Sequence, residues 1–407
     1  MIEQTLKAAR TELNEEKLHA DNYLVITHFS DHTTTQKFLS SLHRKMKARF
    51  DALTGIRALA VSMVFIYHNR KFWRADLHPE LLRFVNEFHV GVSIFFVLSG
   101  FLLAYSYGDG PTKSPKDYGK YILGRSARVL PLYWFLLTLY YLDPKFGKLN
   151  FSVFTYSLSH GLSNKLNLTA IAQSWSLTVE FCFYLLLPFL YWIGKNNIKH
   201  LILTLISLTL LAWIVGYSWF LINGNPRQFL YPLKFILGST FFGRWPEFIL
   251  GLFLAKMLSN PTNLYAAFWN WKHKTYLGIV GIFACCYIGG LFQPDIFHHG
   301  ADHPMGFVIF AFLFPVFIAS FIAGLISETT VVQRFFSTRL LTLLGNASFA
   351  FYLVHISYVN IRIRWFWLGP DRNFVILWII SIFLYLLIEK PINDFVKRRF
   401  LKKSVVS

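Results

Sequence analysis

The chain has 407 residues, of which 54% are hydrophobic and 15% are charged, and its formal net charge is +19. A soluble domain of this size carries about 25% charged residues, so the composition excludes a soluble globular protein and indicates a polytopic membrane protein. The basic residues lie in short segments between apolar runs, which favours contact with membrane lipids and argues against a nucleic-acid partner.

The first 50 residues are polar and of mixed charge, and they contain no apolar segment of the kind found in a cleavable signal peptide. They end in a basic stretch, SSLHRKMKARF, immediately before the first apolar run. We therefore predict a cytoplasmic, partly helical N-terminal extension over residues 1–50.

After this extension, apolar runs long enough to cross a bilayer recur along the chain. The predicted runs are 52–68, 90–107, 128–142, 175–194, 199–222, 229–257, 275–292, 304–326, 340–361 and 373–390. This pattern predicts an all-α protein with about ten transmembrane helices. Counts of nine and eleven stay open, because the third run is short and the sixth is long and interrupted.

An even number of spans places both termini on the same side of the membrane. The basic stretch before the first span and the basic tail after the last one predict that this side is the cytoplasm. With that orientation, the inner loops carry roughly twice as many lysines and arginines as the outer loops. We therefore expect a multi-pass protein of the cell (inner or plasma) membrane.

The first run, DALTGIRALAVSMVFIYHNR, contains Arg57 near its start and His68 near its end. Eleven residues separate them, which on a helix is roughly three turns plus 20°, so both side chains share one face about 16 Å apart. Ionisable groups inside a span face a protein interior or a wet cavity, so this helix is predicted to line something polar. The alternative is that Arg57 extends to the lipid headgroups and His68 marks the opposite interface.

The second run contains small residues, among them Ser99 and Gly100, whose simplest role is close helix packing. The third run begins within GRSARVLPLYW, in which Arg125 and Arg128 lie one helical turn apart at the cytoplasmic entry of the span. Two guanidiniums at this spacing suit a phosphate or pyrophosphate group. The alternative is an ordinary basic anchor at the cytoplasmic membrane surface.

The fourth run, AQSWSLTVEFCFYLLLP, carries Glu180 about one turn into an apolar helix, with Ser176 and Tyr184 on the same face. A buried carboxylate must be paired, hydrogen-bonded or protonated, and Arg57 or His68 would serve as its partner. A structural ion pair between helices is the competing interpretation.

Later runs contain further polar groups. In the sixth run, GRWPEFILG is typical of a broken helix that lines a cavity, and Arg244 is expected to pair with Glu247. In the ninth run, His355 is expected to be a hydrogen-bonded core histidine one turn from Tyr352.

No metal is predicted. The cluster His298, His299, Asp302 and His303 matches no defined metal-site spacing, and the three cysteines form neither a CxxC motif nor a Cys/His cluster.

Taken in order, Arg57 with His68, GVSIFFVLSGFLL, Arg125 and Arg128 before PLYW, WSLTVEFCFYLLLP, RWPEFILG and GNASFAFYLVH resemble the acyltransferase 3 family of multi-pass membrane O-acyltransferases. The resemblance covers about residues 50–400. It implies an acyltransferase transmembrane domain over 51–395 and a basic cytoplasmic tail over 396–407.

The resemblance further implies acetyl-coenzyme A, or another acyl-coenzyme A, as the donor. It implies a hydroxyl of a glycan, of a lipid-linked precursor or of another cell-envelope or exported molecule as the acceptor. In family terms Arg57 and His68 form one motif, Arg125 and Arg128 a second, and Glu180 is the carboxylate of a third.

Of these residues, His68 is the best general base, because imidazole titrates near neutrality. Whether it activates the acceptor directly or first carries the acyl group stays open. Arg125 and Arg128 would hold the coenzyme phosphates, and Arg57 would bind phosphate or pantetheine, or orient Glu180. The rival function is a proton-coupled transporter or flippase in which Arg57, His68 and Glu180 form a relay.

Overall fold

The computed structural model describes residues 32–72, 78–107, 114–145, 152–194, 197–225, 229–259, 268, 270–295, 298–364 and 369–401. Most of the predicted N-terminal extension (1–31) and the end of the predicted basic tail (402–407) lie outside the described residues. The helix that contains the first span begins inside the predicted extension and runs through residue 50 without a break.

Ten helices of at least 14 residues form the framework of the described part of the chain. They are α1 His32–Asn69, α2 Gly91–Tyr107, α3 Pro115–Leu142, α4 Trp175–Gly194, α5 Ile198–Asn223, α6 Phe241–Ser259, α7 Lys274–Leu291, α8 Phe314–Ser327, α9 Arg339–Val354 and α10 Pro370–Leu384. Within the described ranges there is no β-strand, and one antiparallel bridge joins Ser163 to Phe229. The predicted all-α class is confirmed.

Shorter helical segments connect or extend these helices. The α-helical ones are Pro79–Asn86, Val153–Tyr156, Leu233–Ser239, Pro304–Val308, Val331–Phe336, Tyr358–Arg364 and Lys390–Val396. The 3-10 turns are Arg70–Phe72, Glu87–Val90, His160–Leu162, Ala172–Ser174 and Gly300–Asp302. Three π-helical segments, Ile309–Leu313, Tyr385–Glu389 and Lys397–Leu401, continue the neighbouring α-helices.

Seven helical stretches of the described chain are long and apolar enough to cross a membrane. They are Phe50–Asn69, Pro79–Tyr107, Ala172–Gly194, Ile198–Asn223, Lys274–Leu291, Pro304–Ser327 and Asp371–Leu401. Each coincides with a predicted run. The other three runs are also helical, as α3, α6 and α9, but α3 and α6 carry several charges and α9 has 16 residues. The chain is therefore a multi-pass, all-α membrane protein.

Helix α1, which carries Arg57 and His68, lies in the interior of the bundle. Helix α1 packs against α9 and α2, α2 packs against α6, and α9 packs against α10. By contrast, α5 contacts α4 and α6 and exposes apolar side chains such as Leu211, Ile214 and Ile222. A helix that exposes this much apolar surface faces lipid, so α5 lies at the periphery.

Two glycines allow α2 and α6 to approach closely. A Cβ atom at Gly100 would lie 2.1 Å from the carbonyl oxygen of Phe248, and one at Gly251 would lie 2.1 Å from the carbonyl oxygen of Val97. No side chain fits at such distances, so the packing role predicted for Gly100 is confirmed.

The sixth predicted run is interrupted, but at a different place from the one that we expected. It divides at Thr240, between the short helix Leu233–Ser239 and α6, and RWPE lies inside α6. Pro246 cannot donate a hydrogen bond to the carbonyl of Phe242, and the Thr209 hydroxyl of α5 donates to that carbonyl instead. A neighbouring side chain therefore satisfies the backbone, and the expected break at RWPE was wrong.

Candidate functional site

Five helices, α1, α2, α3, α4 and α9, enclose a small cavity inside the bundle. Its interior measures about 60 Å³. The lining residues are Arg57, Val92, Phe95, Phe96, Ser99, Arg128, Val129, Ser176, Leu177, Glu180, Tyr184, Ser348, Phe349 and Tyr352. Three of the predicted site residues, Arg57, Arg128 and Glu180, therefore meet in one cavity although they come from three different helices.

The carboxylate of Glu180 is held by two hydroxyl groups. Ser99 Oγ, on α2, donates to Glu180 Oε1 at 2.7 Å, and the Tyr184 hydroxyl, one turn along α4, donates to the same oxygen. A carboxylate among apolar side chains needs such donors. Arg57 interacts with Glu180 electrostatically across the cavity, and within the described part of the chain the two do not form a salt bridge.

A second carboxylate, Glu389, interacts with the two cations of this cavity, although it is not part of the described lining. The charges of Arg57 and Arg128 repel each other, and both are attracted to Glu389. Glu389 is 7% exposed, and its Oε2 has no hydrogen-bond partner among the described atoms. It lies in the π-helical continuation of α10. We did not assign it a role from the sequence, although a carboxylate near the end of an apolar run was visible there.

Arg125 does not line the cavity. It lies one turn of α3 away from Arg128, with its guanidinium 5.9 Å from the centre of the Tyr107 ring. Its Nε is buried and has no hydrogen-bond partner among the described atoms. The two arginines of the predicted pair therefore occupy different surroundings, Arg128 inside the cavity and Arg125 nearer to the start of α3.

A hydrogen-bonded group connects α4 to α9 on the other side of the cavity. Ser176 Oγ lies 2.7 Å from the Tyr352 hydroxyl, which donates to the carbonyl of Gln173 at 3.1 Å. In return, Gln173 Nε2 donates to the carbonyls of Tyr352 and Leu353 at 2.9 and 2.6 Å. These bonds fix the end of α9 against the start of α4.

His68 lies among rings near the end of α1. Its ring centre is 4.8 Å from that of Tyr67 and 5.3 Å from that of His355. His355 is fully buried, and its Nδ1 lies 2.7 Å from the carbonyl oxygen of Tyr352, so Nδ1 carries the proton that is donated. The prediction that His355 is a hydrogen-bonded core histidine is confirmed, and the structure adds that it contacts His68.

Arg57 and His68 both face α9, which confirms that they share one face of α1. Arg57 shares the cavity with Ser348 and Tyr352, and His68 contacts His355. The alternative, in which both side chains point to the membrane surfaces, does not fit these contacts. However, the described lining of the cavity does not include His68. Tyr352, which does line the cavity, has its ring 5.4 Å from that of His355 and so connects the cavity to His68 through His355.

The predicted site residues thus fall into two polar regions of the described bundle. The arginine end comprises Arg57, Arg125, Arg128, Glu180 and Glu389. The histidine end comprises Tyr67, His68, His89, His299 and His355. Helix α1 runs between them, and its two predicted site residues are roughly 16 Å apart along its axis.

Arg244 and Glu247 pair with each other, as predicted. Arg244 Nη2 lies 2.7 Å from Glu247 Oε1 and donates to Ser93 Oγ at 3.0 Å. The guanidinium also lies 5.4 Å from the centre of the Phe96 ring, which lines the cavity. The pair therefore lies next to the site. Neither Arg244 nor Glu247 belongs to the described lining of the cavity.

The histidine end continues through a second pair of imidazoles. The rings of His89 and His299 stack with centres 4.4 Å apart. Burial lowers the pKa of His299, although the nearby Asp302 carboxylate opposes this effect. Burial alone would raise the pKa of Asp302, but Lys234, whose Nζ lies 2.6 Å from its Oδ1, lowers that pKa below the usual value.

Within the described ranges, no group of three or more histidine, cysteine, aspartate or glutamate side chains is arranged to hold a metal ion. His299 instead pairs with Asp302, with Nδ1 3.1 Å from Oδ2, and His298 pairs with Asp295 at 2.8 Å.

Comparisons with known proteins address the whole chain. The family model of acyltransferase 3, described as an acyltransferase domain, matches residues 50–389. A curated protein, Protein 2 in picA locus from Rhizobium radiobacter, is 34% identical over 91 residues, which are 22% of this chain and 44% of that protein. The chain thus spans less than half the length of this relative. No solved structure matches the chain significantly.

Proposed function

The chain belongs to the acyltransferase 3 family, and from this premise we propose that it moves an acyl group from acyl-coenzyme A to a hydroxyl group. Acetyl is the acyl group that we propose first. The proposed acceptor is a glycan, a lipid-linked precursor or another cell-envelope or exported molecule. That the chain is a membrane acyltransferase follows from the family, whereas donor and acceptor are our proposal.

The observation that carries the proposal is the cavity in which two guanidiniums from different helices meet. Arg57 and Arg128 would otherwise repel each other inside an apolar bundle. An incoming phosphate group removes this repulsion, and guanidiniums bind phosphate oxygens through two parallel hydrogen bonds. The arginine end therefore suits the pyrophosphate of a coenzyme A donor, with Arg125 at the approach to the cavity.

In the proposed reaction His68 acts as the general base. Its neutral ring nitrogen takes the proton of the acceptor hydroxyl while the hydroxyl oxygen attacks the thioester carbon. The carbon–sulfur bond then breaks, and the same proton passes to the departing coenzyme thiolate. If the imidazole instead attacks the thioester carbon first, the carbon–sulfur bond breaks, the thiolate leaves with the ring N–H proton as free thiol, and an acyl-imidazole remains. The acceptor oxygen then attacks the acyl carbon, the carbon–nitrogen bond breaks, and the acceptor's proton returns to the imidazole. Both routes need His68 to be neutral and correctly oriented.

His355 is well placed to orient His68. Because its Nδ1–H donates to the carbonyl of Tyr352, its Nε2 is an acceptor, and this atom has no partner among the described atoms. The two rings are 5.3 Å apart. We propose that His355 Nε2 accepts a hydrogen bond from Nδ1–H of His68, which leaves Nε2 of His68 free to take the proton. This is the orienting role that a third group plays in other base-assisted transfers.

The distance between the two ends sets a requirement on the donor. With its phosphates at Arg57 and Arg128, the pantetheine arm must reach roughly 16 Å to bring the thioester to His68. A cavity of about 60 Å³ has room for only a few water molecules. Donor binding must therefore displace the aromatic side chains of the lining, above all Tyr352, which lines the cavity and contacts His355.

The proposal is tested with the purified full-length chain in lipid nanodiscs, supplied with labelled acetyl-coenzyme A and separate polysaccharide and lipid fractions of the cell envelope. We expect the label to appear as an ester on one fraction, with one free coenzyme thiol released for each ester formed. Labelling of the lipid fraction would identify a lipid-linked acceptor. Substrate movement across a proteoliposome membrane without acyl-coenzyme A, and no ester with any donor, would favour the transporter instead.

A further inference from the structure

Glu389 lies close to the two guanidiniums of the cavity, on a different helix from either of them. It is 7% exposed, and its Oε2 has no hydrogen-bond partner among the described atoms. The segment that carries it, Tyr385–Glu389, packs against α3 and α9, which both line the cavity. Glu389 interacts electrostatically with Arg128 and, less strongly, with Arg57. The proposed donor cavity therefore has a buried carboxylate oxygen without a partner beside it.

The charges around the cavity balance one another without a donor. In their ionised forms, Arg57 and Arg128 carry two positive charges. Glu180 and Glu389 carry two negative charges, so the four groups together have no net charge. A pyrophosphate that enters this arrangement adds negative charge inside an apolar bundle, where an unbalanced charge costs much free energy. Phosphate binding therefore requires that one carboxylate leaves the guanidiniums.

Hydrogen bonds distinguish the carboxylate that stays from the one that can leave. Glu180 Oε1 accepts from Ser99 on α2 and from Tyr184 on its own helix. Moving Glu180 would break these bonds and leave buried hydroxyl groups unpaired, which costs free energy. By contrast, Oε2 of Glu389 has no partner to lose among the described atoms. Glu389 is therefore the carboxylate that a phosphate group can replace.

The backbone that carries Glu389 has a second helical register within reach. Tyr385–Glu389 is a π-helical segment, and π-helical turns of this kind are frequent at functional sites. If the segment tightened to an α-helix by one residue, Glu389 would rotate by about 100° around the helix axis, away from the guanidiniums. Leu386 and Leu387 of the same segment are exposed, so one side of it borders lipid and leaves room for this movement.

We propose that Glu389 is the counter-ion of Arg57 and Arg128 while the donor is absent, and that the phosphates of acyl-coenzyme A take its place. The exchange replaces one anion by another and makes or breaks no covalent bond. Glu389 is thus a positioning residue that weakens the binding of donor phosphates and takes no part in acyl transfer itself. This inference rests on the proposed function, since it assumes a donor with phosphate groups.

The test is equilibrium binding to the full-length chain in nanodiscs of neutral lipid. The ligands are acetyl-coenzyme A, inorganic pyrophosphate, and acetyl-pantetheine, which has no phosphate. For Glu389→Gln we expect the Kd for the first two ligands to fall about tenfold, because the competing charge is gone. The Kd for acetyl-pantetheine should stay at the wild-type value. Asp394→Asn, which removes the next acidic group along the same helix, is the matched control and should change none of the three values.

A merely structural role of Glu389 would not make binding tighter. A Kd for acetyl-coenzyme A that is unchanged or raised in Glu389→Gln would therefore overturn the inference. An equal fall for acetyl-pantetheine would also overturn it, because that ligand has no phosphate to compete with the carboxylate. If Glu389→Gln does not fold, Glu389→Met, which keeps the length of the side chain in an apolar form, decides the question by the same criteria. If the wild-type chain binds none of the three ligands, the proposed function itself fails, which distinguishes that failure from failure of the inference.

Discussion

The two ends of α1 differ in the kind of side chain that surrounds them. At the arginine end, Arg57 meets a second guanidinium, a carboxylate held by hydroxyls, and Glu389, so the dominant interactions are between charges. At the histidine end, His68 meets the rings of Tyr67 and His355. In the proposed reaction this difference separates the binding of the donor phosphates from proton transfer, because the two ends of α1 lie about 16 Å apart.

The largest effect is expected when the imidazole of His68 is removed. For His68→Ala we expect the rate of acyl transfer to fall on the order of a thousandfold, because the base is lost, with the fold unchanged. The measurement is ester formation in nanodiscs at saturating donor. His298→Ala removes an exposed histidine that pairs with Asp295 and serves as the control. Transfer near the wild-type rate in His68→Ala would exclude the base role.

A smaller loss is expected when only the orienting partner is removed. His355→Phe keeps a ring in the packed interior but removes the acceptor nitrogen, and the rate should fall about tenfold to a hundredfold. Gln173 still donates to the carbonyl of Tyr352 in this variant. Because loss of packing alone would not alter protonation, the deciding readout is the pH profile of kcat/KM. A profile identical to that of the wild type would reject the orienting role.

A substitution at the arginine end should raise the KM for the donor and leave kcat unchanged. Arg128→Ala removes a guanidinium from the cavity, and we expect the donor KM to rise about tenfold. Lys120→Ala, on an exposed part of the same helix, should leave KM unchanged. If Arg128→Ala instead lowered kcat at unchanged KM, the division of roles between the two ends would be wrong.

The charge of Glu180 can be removed while its hydrogen bonds are kept. In Glu180→Gln the amide oxygen still accepts from Ser99 and Tyr184, but Arg57 loses an opposite charge, so kcat/KM should fall about fivefold. Ser99→Ala is the complementary variant, because it removes one donor and leaves the charge. A rate loss in Ser99→Ala together with none in Glu180→Gln would make Glu180 a structural residue.

The smallest effect concerns pH and the segment between α3 and α4, whose Gln173 donates to two carbonyls of α9. Burial lowers the pKa of His160 to about 4, and its Nε2 lies 2.8 Å from Ser174 Oγ. Since the unfolded chain binds this proton more readily, stability falls as the pH drops from about 6.5 towards 4, by on the order of 1 kcal/mol at pH 5.5.

This pH effect is measured as the loss of Tm between pH 7.5 and pH 5.5, in the wild type and in His160→Gln. The Tm of the variant should fall less than that of the wild type, because the variant has no ring to protonate at this position. Equal losses in the two proteins would mean that His160 does not contribute to the pH dependence.

The sequence was sufficient for features that depend on helical periodicity. The ten apolar runs, the shared face of Arg57 and His68, and the Arg244–Glu247 pair all follow from residues close together in the chain, where the 3.6-residue repeat fixes the geometry. The resemblance to the family was also visible in the ordered motifs and is confirmed by the match over residues 50–389.

Contacts between helices that are far apart in the sequence could not be predicted from helical periodicity. Ser99 was interpreted as a packing residue because its partner, Glu180, lies 81 residues away. Glu389 was given no role because its neighbours Arg57 and Arg128 come from helices at the other end of the chain. Likewise, the Thr209 hydroxyl that donates to the carbonyl freed by Pro246 lies on α5, 33 residues before Phe242, so the unbroken course of α6 through RWPE depends on the position of α5. These contacts depend on how one helix packs on another, and the spacing of residues along a single helix does not determine that packing.

The most direct test is the affinity of the purified protein for acetyl-coenzyme A, measured at equilibrium for the wild type, His68→Ala and Arg128→Ala. If the two ends of α1 have separate roles, His68→Ala binds the donor as tightly as the wild type, and Arg128→Ala binds it about tenfold more weakly. Loss of binding in His68→Ala, or wild-type binding in Arg128→Ala, would contradict the account.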